Sequence, residues 1–206
     1  MTEASPKRKL TTILAADVVG YSKLMGQDEE GTVKTLKKYR QVFKEYSDRH
    51  SGRILDATGD AILAEFSSAV EAVRCGIVIQ ETLHNYNQQP SQDVKMQFRI
   101  GINVGDVLIE DGTIFGDGVK IAARMESLAE PGGICISGSV HELVHNKLSF
   151  GFIDMGAQEV KNIQRPITAY GLTPTKEVTL DVETRTKVKE KLTSNKYLVI
   201  GLSVML

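Results

Sequence analysis

The sequence predicts one α+β domain built on a mixed β-sheet with helices packed against it. Segments with strand and helix periodicity alternate along the chain without a strict strand–helix–strand repeat. The chain has 206 residues, of which 41% are hydrophobic, enough for one well-filled core and too few for two ordinary domains. We therefore expect an α+β or mixed-sheet α/β architecture.

The first elements are a buried strand and an amphipathic helix. The apolar run from Leu10 to Ala16 ends in Asp17, so the predicted strand delivers a carboxylate at its end. From Gly26 to His50, apolar residues recur at helical spacing among many lysines and acids. This pattern predicts a helix with a solvated charged face.

A tight hairpin follows between Arg53 and Phe66. Two short β-type runs flank Thr58-Gly59-Asp60, and glycine is a turn signal because it tolerates positive φ. Asp60 is therefore expected at the hairpin tip. Two carboxylates at strand ends suit oxygen-liking cations such as Mg²⁺. On spacing alone, Asp17 could equally be a helix cap and Asp60 an ordinary turn residue.

The rest of the chain continues the alternation of strands and helices. Ser67 is expected to cap a second helix that runs to Leu83. Gly105-Asp106 is expected to form a turn in a strand region. The remaining predicted elements are strands at Met96 to Asn103, Val107 to Glu110, Ile114-Phe115 and Ile134 to Ser137, helices from Gly116 to Leu128 and Ser139 to His145, and strands at Phe150 to Met155 and Ile167 to Leu172.

Charge and cysteine content exclude several classes of protein. With 25 basic and 26 acidic residues the formal charge is −1, so nothing favours nucleic acid or an anionic membrane surface as a partner. Only Cys75 and Cys135 occur, both in apolar patterns, which indicates a reducing compartment without a disulfide framework. His141 and His145 could ligate a metal if they faced inward, but a solvated helix face is the simpler interpretation.

The chain ends are expected to differ from the domain between them. Residues 1–8 read as an N-terminal tail, 9–174 as the domain, and 175–195 as a polar linker. Residues 196–206, KYLVIGLSVML, are almost wholly apolar and are interpreted as the start of a transmembrane helix that continues beyond the sequence, with a final strand or packed tail as the alternative. The expected location is a cytoplasmic domain tethered at its C-terminus.

Five motifs in order resemble those of a known family. LAADVVGYSKLM, TGDAILAEF, FRIGINVGDV, FGDGVKIAARMESLAEPGGICISG and VKNIQRPITAY span roughly Lys9 to Pro174 and look like the catalytic domain of class III nucleotidyl cyclases, bacterial adenylate cyclases in particular. The resemblance implies a ferredoxin-like α/β sandwich with a mixed, mainly antiparallel sheet. It also implies a homodimer with nucleoside triphosphate sites at its interface.

The same resemblance assigns residues to roles. It implies two divalent cations, Mg²⁺ or Mn²⁺, held by Asp17 and Asp60 with Val18 beside them, and catalysis by Arg124, with Lys120 at the neighbouring motif position. The partner chain would supply the catalytic and base-reading groups. The other implied positions are Asp56 and Thr113 for the base, and Val19, Gly20, Tyr21, Ser22, Lys161 and Arg165 for the phosphates.

Two of these positions depart from the family pattern. Adenylate cyclases usually carry a lysine where this chain has Asp56, and an asparagine where it has Lys120, whereas Thr113 is within the family's range. The charges look exchanged, so we expect Asp56 and Lys120 to pair within about 4 Å in a partly buried pocket. The alternative is two unrelated surface charges that never meet.

Three functions remain open at this stage. The domain could be an active cyclase making cyclic AMP, with cyclic GMP as the alternative because an aspartate can accept hydrogen bonds from guanine. It could be a catalytically degenerate dimer that binds nucleotide without turnover. It could also be a dimer that only relays a signal to or from a membrane segment or a further region.

Overall fold

A computed structural model describes residues 7–92, 94–110, 112–161, 163 and 165–172. The elements in chain order are β1 (Lys7–Val18), α1 (Tyr21–Gln27), α2 (Glu29–Arg49), β2 (Gly52–Asp56), β3 (Ile62–Phe66), α3 (Ala69–Asn87), β4 (Phe98–Glu110), β5 (Thr113–Phe115), α4 (Asp117–Leu128), β6 (Ile134–Ser137), α5 (Gly138–Val144), β7 (Ile153–Gln158) and β8 (Ile167–Leu172).

The eight strands in the described part of the chain join one sheet. Its order is β2-β3-β1-β4-β6-β8-β7, and β5 pairs with the far end of β4. The β4–β6 pair is parallel and the other pairs are antiparallel. This confirms the expected mixed, mainly antiparallel sheet flanked by helices.

The sheet separates two helical layers because side chains alternate along each strand. In β1, Leu14 and Ala16 face the layer of α2, α3 and α5, where the largest core cluster lies. Ile13 and Ala15 face the opposite layer and pack in a second cluster with Ala122 of α4. By the same alternation Asp17 belongs to the α4 face.

Three predicted boundaries were wrong at helix ends. The helix expected from Gly26 to His50 is broken at Asp28, whose extended backbone (φ −154°) caps α2 by accepting a hydrogen bond from the Gly31 amide at 2.9 Å. Ser68, not Ser67, caps α3, since its side chain accepts from the Glu71 amide. Ser137 caps α5, which therefore begins at Gly138.

Two strand predictions also need correction. No turn forms at Gly105-Asp106, because Lys7 to Leu10 lengthen β1 and pair with Asp106 to Ile109, keeping β4 extended. The strand expected at Phe150 to Met155 is shifted, because the pairing with β8 runs from Ile153 to Gln158.

The histidine pair is only partly solvated. His145 is exposed, but the His141 ring stacks on Tyr170 of β8 with 3.9 Å between ring centroids. No group of three or more His, Cys, Asp or Glu side chains arranged for a metal occurs in the part of the chain described.

Helix α4 lies unusually close to β4. A Cβ built on Gly101 would stand 2.0 Å from the Glu126 amide nitrogen and 2.2 Å from the Ala122 carbonyl oxygen. Both obstacles belong to the helix backbone, so the helix cannot lie at this distance unless residue 101 lacks a side chain.

Gly101→Ala is expected to lower the free energy of unfolding by about 3 kcal/mol, since relief requires moving α4 as a body. Urea denaturation of the variant measures this loss. Gly26→Ala is the matched control, because Gly26 lies in α1 with open space around its Cβ position and alanine favours helix. A Gly101→Ala protein as stable as wild type would contradict the close approach.

The predictions for residues 175–195 and 196–206 lie outside the described residues. None of the described helices combines the length and the apolar character that crossing a bilayer requires.

Candidate active site

Asp17 and Asp60 meet at one end of the sheet. Asp17 is next to last in β1, and its neighbour Ala16 pairs with Ile62, two residues after Asp60. The turn before β3 depends on Gly59, whose φ of 63° is strained for residues with a side chain, and the Ala61 amide donates to the Thr58 carbonyl. The hairpin tip therefore lies beside the end of β1, and Asp60 lies in the turn where the sequence predicts it.

The electrostatics of this pair suit a divalent cation. Partial burial, and then the neighbouring Asp60 carboxylate, raise the pKa of Asp17, while a hydrogen bond from the Val18 amide opposes the rise. Two adjacent carboxylates repel each other when both are ionised, and a cation bound between them offsets this repulsion. Mg²⁺ is commonly bound by one or two carboxylates together with substrate phosphates, so the residues fit such an ion.

Two further charged residues belong to this cluster, and the sequence analysis missed both. Arg99 of β4 pairs in register with Asp17, and its charge lowers the pKa of Asp17. Burial, and then the charge of Asp17, raise the pKa of Glu126 on α4. The sequence signal for Arg99 was its place between Phe98 and Ile100 in a strand. Because side chains alternate and these two face the α2 and α3 layer, Arg99 lies on the α4 face with Asp17.

The segment after β1 turns directly into α1 at Gly20. Gly20 precedes the helix in a left-handed conformation (φ 66°) and makes no side-chain cap. The Val19 amide is committed to the Gln97 carbonyl at 2.9 Å, so it is no longer available to a phosphate. Among the described residues, the amides of Gly20, Tyr21 and Ser22 have no backbone acceptor.

The expected Asp56–Lys120 pair does not form, so that prediction was wrong. Lys120 binds Asp117 at 2.9 Å, one turn earlier on its own exposed helix face. Asp56 is exposed and accepts a hydrogen bond from Thr58 at 2.5 Å. Each charge finds a partner within its own segment, which costs less ordering than pairing across the surface.

Arg124 lies on the outer face of α4. It is exposed and makes no salt bridge within the described residues, whereas Ala122 and Met125 are buried against the sheet. Lys120 is also exposed, four residues earlier on the same helix. The helix therefore presents two cations away from its own sheet.

Thr113 lies far from the carboxylate pair in the same protomer. Asp17 pairs with Arg99 near the start of β4, while Thr113 pairs with Glu110 at its end. Eleven residues of extended strand separate these positions, roughly 35 Å along β4. Lys161 and Arg165 are exposed in the segment between β7 and β8.

The strand order and the helical layers define an α+β domain of the class III cyclase type. The family model "Adenylate and Guanylate cyclase catalytic domain" matches residues 3–174, and the chain belongs to this family.

Relatives agree with this assignment. The chain is 43% identical to "Putative adenylate cyclase 3" of Rhizobium meliloti (strain 1021) over 84% of its own length, and spans only 30% of that protein. A crystal structure named adenylate/guanylate cyclase/hydrolase from Silicibacter pomeroyi is 42% identical, with a TM-score of 0.77 covering 82% of this chain and 99% of that one. The adenylyl cyclase CyaB from P. aeruginosa is 26% identical, with a TM-score of 0.75 and coverage of 84% and 98%.

Proposed function

We propose that this domain converts a nucleoside triphosphate into a cyclic nucleotide and pyrophosphate, with cyclic AMP as the first expected product and cyclic GMP as the alternative. The observation that carries the proposal is the Asp17–Asp60 pair at the end of β1, in a chain of the cyclase family. In this reaction the ribose 3′-oxygen bonds to the α-phosphorus, the bond from that phosphorus to the bridging oxygen breaks, and the 3′-hydroxyl proton leaves.

The residues contribute by positioning and charge. Asp17 and Asp60 would hold two divalent cations, Mg²⁺ or Mn²⁺, which when bound supply positive charge to the 3′-oxygen and the triphosphate. The amides of Gly20, Tyr21 and Ser22 would donate to phosphate oxygens at the start of α1. Val18 belongs here through its backbone, whose amide donates to Asp17.

The remaining groups are assigned to a second copy of the chain. Thr113 is too far along β4 to share a pocket with Asp17 of its own protomer, and Arg124 projects away from its own sheet. A homodimer would bring these groups to the carboxylates of the partner. A planar guanidinium such as that of Arg124 suits the charge that develops on the transferring phosphoryl group. Lys161 and Arg165 are proposed to meet the terminal phosphates.

A second candidate is a dimer that binds nucleotide without turnover. It is favoured by Asp56 and Lys120: the first presents an acceptor where an adenine-reading lysine is usual, and the second is already paired with Asp117. We propose the active enzyme ahead of it because the carboxylate pair and Arg124 are all present.

Product formation separates the two candidates. Purified protein is incubated with ATP or GTP and with Mg²⁺ or Mn²⁺, and cyclic nucleotide and pyrophosphate are measured by chromatography. Turnover of either nucleotide supports the cyclase, whereas metal-dependent binding of nucleotide without product under all four conditions supports the binding module.

Asp56→Lys and Lys120→Asn are expected to act independently, because each side chain has its own local partner. Each change should raise turnover of ATP, and in the double variant the effects should multiply. The coupling free energy from the double-mutant cycle should be within about 0.5 kcal/mol of zero. A coupling above about 1 kcal/mol would restore the idea of an exchanged pair.

The domain is proposed to reach residue 174 and to work in the cytoplasm; it begins at Lys7, two residues before the predicted start at Lys9, because Lys7 and Arg8 belong to β1. Both cysteines are free and buried, which suits a reducing compartment. The cytoplasm is such a compartment, and it contains the nucleoside triphosphates that the proposed reaction consumes.

A further inference from the structure

A groove runs between α2 and the β2–β3 hairpin on the face opposite to α4. It encloses about 260 Å³, smaller than sites for drug-sized ligands, which hold about 300–1,000 Å³. Phe43 of α2 and Ile54, Ala57 and Ile62 of the hairpin line it with apolar surface. Since Ile54 and Ile62 face the α2 layer, the groove lies on the other side of the sheet from the outward face of α4.

The rim of the groove is basic. Lys37, Arg40 and Lys44 of α2 line it, and none of the residues lining it is acidic. Lys44 is held by Asp48 at 2.7 Å, whereas Lys37 makes no salt bridge within the described residues. An apolar floor under uncommitted positive charge is complementary to a molecule with an apolar body and one anionic head.

Arg40 has an unsatisfied donor at this rim. Its Nε is buried and has no hydrogen-bond partner among the described residues. A buried N–H without an acceptor is costly, and a carboxylate is the acceptor that a guanidinium binds most strongly. A carboxylate in the groove that draws the guanidinium toward it would supply the acceptor that this Nε lacks.

Arg40 also connects the groove to the active-site hairpin. Its guanidinium donates to the Gly59 carbonyl oxygen, and Gly59 immediately precedes Asp60. Gly59 holds the positive φ on which this turn depends. A carboxylate that recruits the guanidinium would therefore compete with Gly59 and change the position of Asp60.

We propose that this groove is an effector site for a small amphipathic carboxylate, whose chain packs against the half-buried Ile54 and Ala57 and whose head binds Arg40. A bound carboxylate weakens the hydrogen bond from Arg40 to the Gly59 carbonyl oxygen and thereby shifts the hairpin tip. The effect on turnover rests on the cyclase function proposed above, whereas the binding does not.

Sodium octanoate is the probe, below its micellar concentration, with ¹⁵N-labelled protein observed by NMR. The Ala57, Gly59 and Asp60 amide signals should shift in a saturable way. Octanol, which has the tail without the charge, and acetate, which has the charge without the tail, should each bind at least about tenfold more weakly. Equal binding of octanol and octanoate, or no saturable shift with octanoate, would overturn the site.

Two variants test the groove residues. Arg40→Gln should weaken octanoate binding at least about tenfold, and Ala57→Leu should do the same by filling the groove, so that one variant suffices if the other does not fold. Lys34→Gln is the control, since Lys34 is exposed on the same helix but lies outside the groove, and its binding should stay within about twofold. Unchanged binding in both groove variants would refute the site.

Turnover gives the final comparison. Saturating octanoate should at least halve the turnover rate of wild type. It should lower the turnover rate of the Lys34→Gln variant by the same factor. If octanoate binds through Arg40 but the Gly59 and Asp60 signals do not move, the link to the hairpin is wrong. If the protein makes no product at all, the proposed cyclase function is wrong. The octanoate binding experiment still shows whether the groove is a carboxylate site.

Discussion

Asp17→Asn and Asp60→Asn are each expected to lower metal-dependent product formation by about 10³-fold. A cation at a phosphoryl group contributes several kcal/mol of charge stabilisation, and each 1.36 kcal/mol is a tenfold change in rate. The asparagine side chain keeps the size of aspartate and loses the charge that holds the ion. Rates with Mg²⁺ and with Mn²⁺ measure the loss, and calorimetry with nucleotide should show that metal-dependent binding is lost too.

The same Asp17→Asn protein should be more stable than wild type in metal-free buffer at pH 7. The pKa of Asp17 is raised in the folded protein by burial and by Asp60, so folding favours its protonated form. The carboxyl of Asp17 therefore contributes most to the free energy of unfolding at a pH below its unfolded pKa of about 3.9. That stabilisation is lost as the pH rises through the folded pKa. The melting temperature should rise by about 2–4 °C for each kcal/mol gained, and the gain should vanish near pH 4.

Glu142→Gln is the matched control for both measurements. Glu142 is exposed on α5, a different element from those that carry the carboxylate pair, and its neutralisation should leave turnover and melting temperature close to wild type. If calorimetry showed the Asp17 and Asp60 variants binding metal and nucleotide like wild type, the metal assignment would be wrong.

Mixing Asp17→Ala with Arg124→Ala should restore about a quarter of the activity of an active parent. Random exchange between homodimers makes half of the dimers mixed, and each mixed dimer has one site in which both groups are intact. Either variant alone should be nearly inactive, because each of its two sites lacks one group. The measurement is product formation after the two proteins have been incubated together long enough to exchange subunits.

Asp17→Ala mixed with Asp60→Ala is the control that makes this test specific. Both changes affect the same half of the proposed site, so every site in a mixed dimer still lacks one carboxylate, and no activity should return. Sites contained within single protomers would give no recovery in either mixture, and that result would rule out the shared arrangement.

The β2–β3 hairpin is a feature that the local sequence pattern predicted correctly. The glycine between two β-type runs was enough to predict the turn and to place Asp60 at its tip, because a positive φ is a local property. The turn predicted at Gly105-Asp106 was wrong for a complementary reason. Both residues remain in β4 because Lys7 to Leu10, about a hundred positions earlier in the chain, supply the hydrogen-bonding partners.

Charge partners were harder to predict than positions. The sequence places Asp56 and Lys120 at unusual motif positions, and from this an exchanged pair was expected. The structure gives each of them a nearby partner instead, Thr58 for the first and Asp117 for the second. Pattern comparison reports which residues occupy a site, whereas the geometry of side chains decides which of them touch.

By itself, the sequence determined the alternation of strands and helices, the two carboxylates at element ends, and the family whose motifs they match, because these depend on residue type and short-range spacing. Only the tertiary structure decided that Arg99 and Glu126 surround Asp17, that Arg124 faces away from its own sheet, and that Arg40 reaches the Gly59 carbonyl. Those relations join residues far apart in the chain, and they exist only where strand register and the close packing of α4 and α2 bring the segments together.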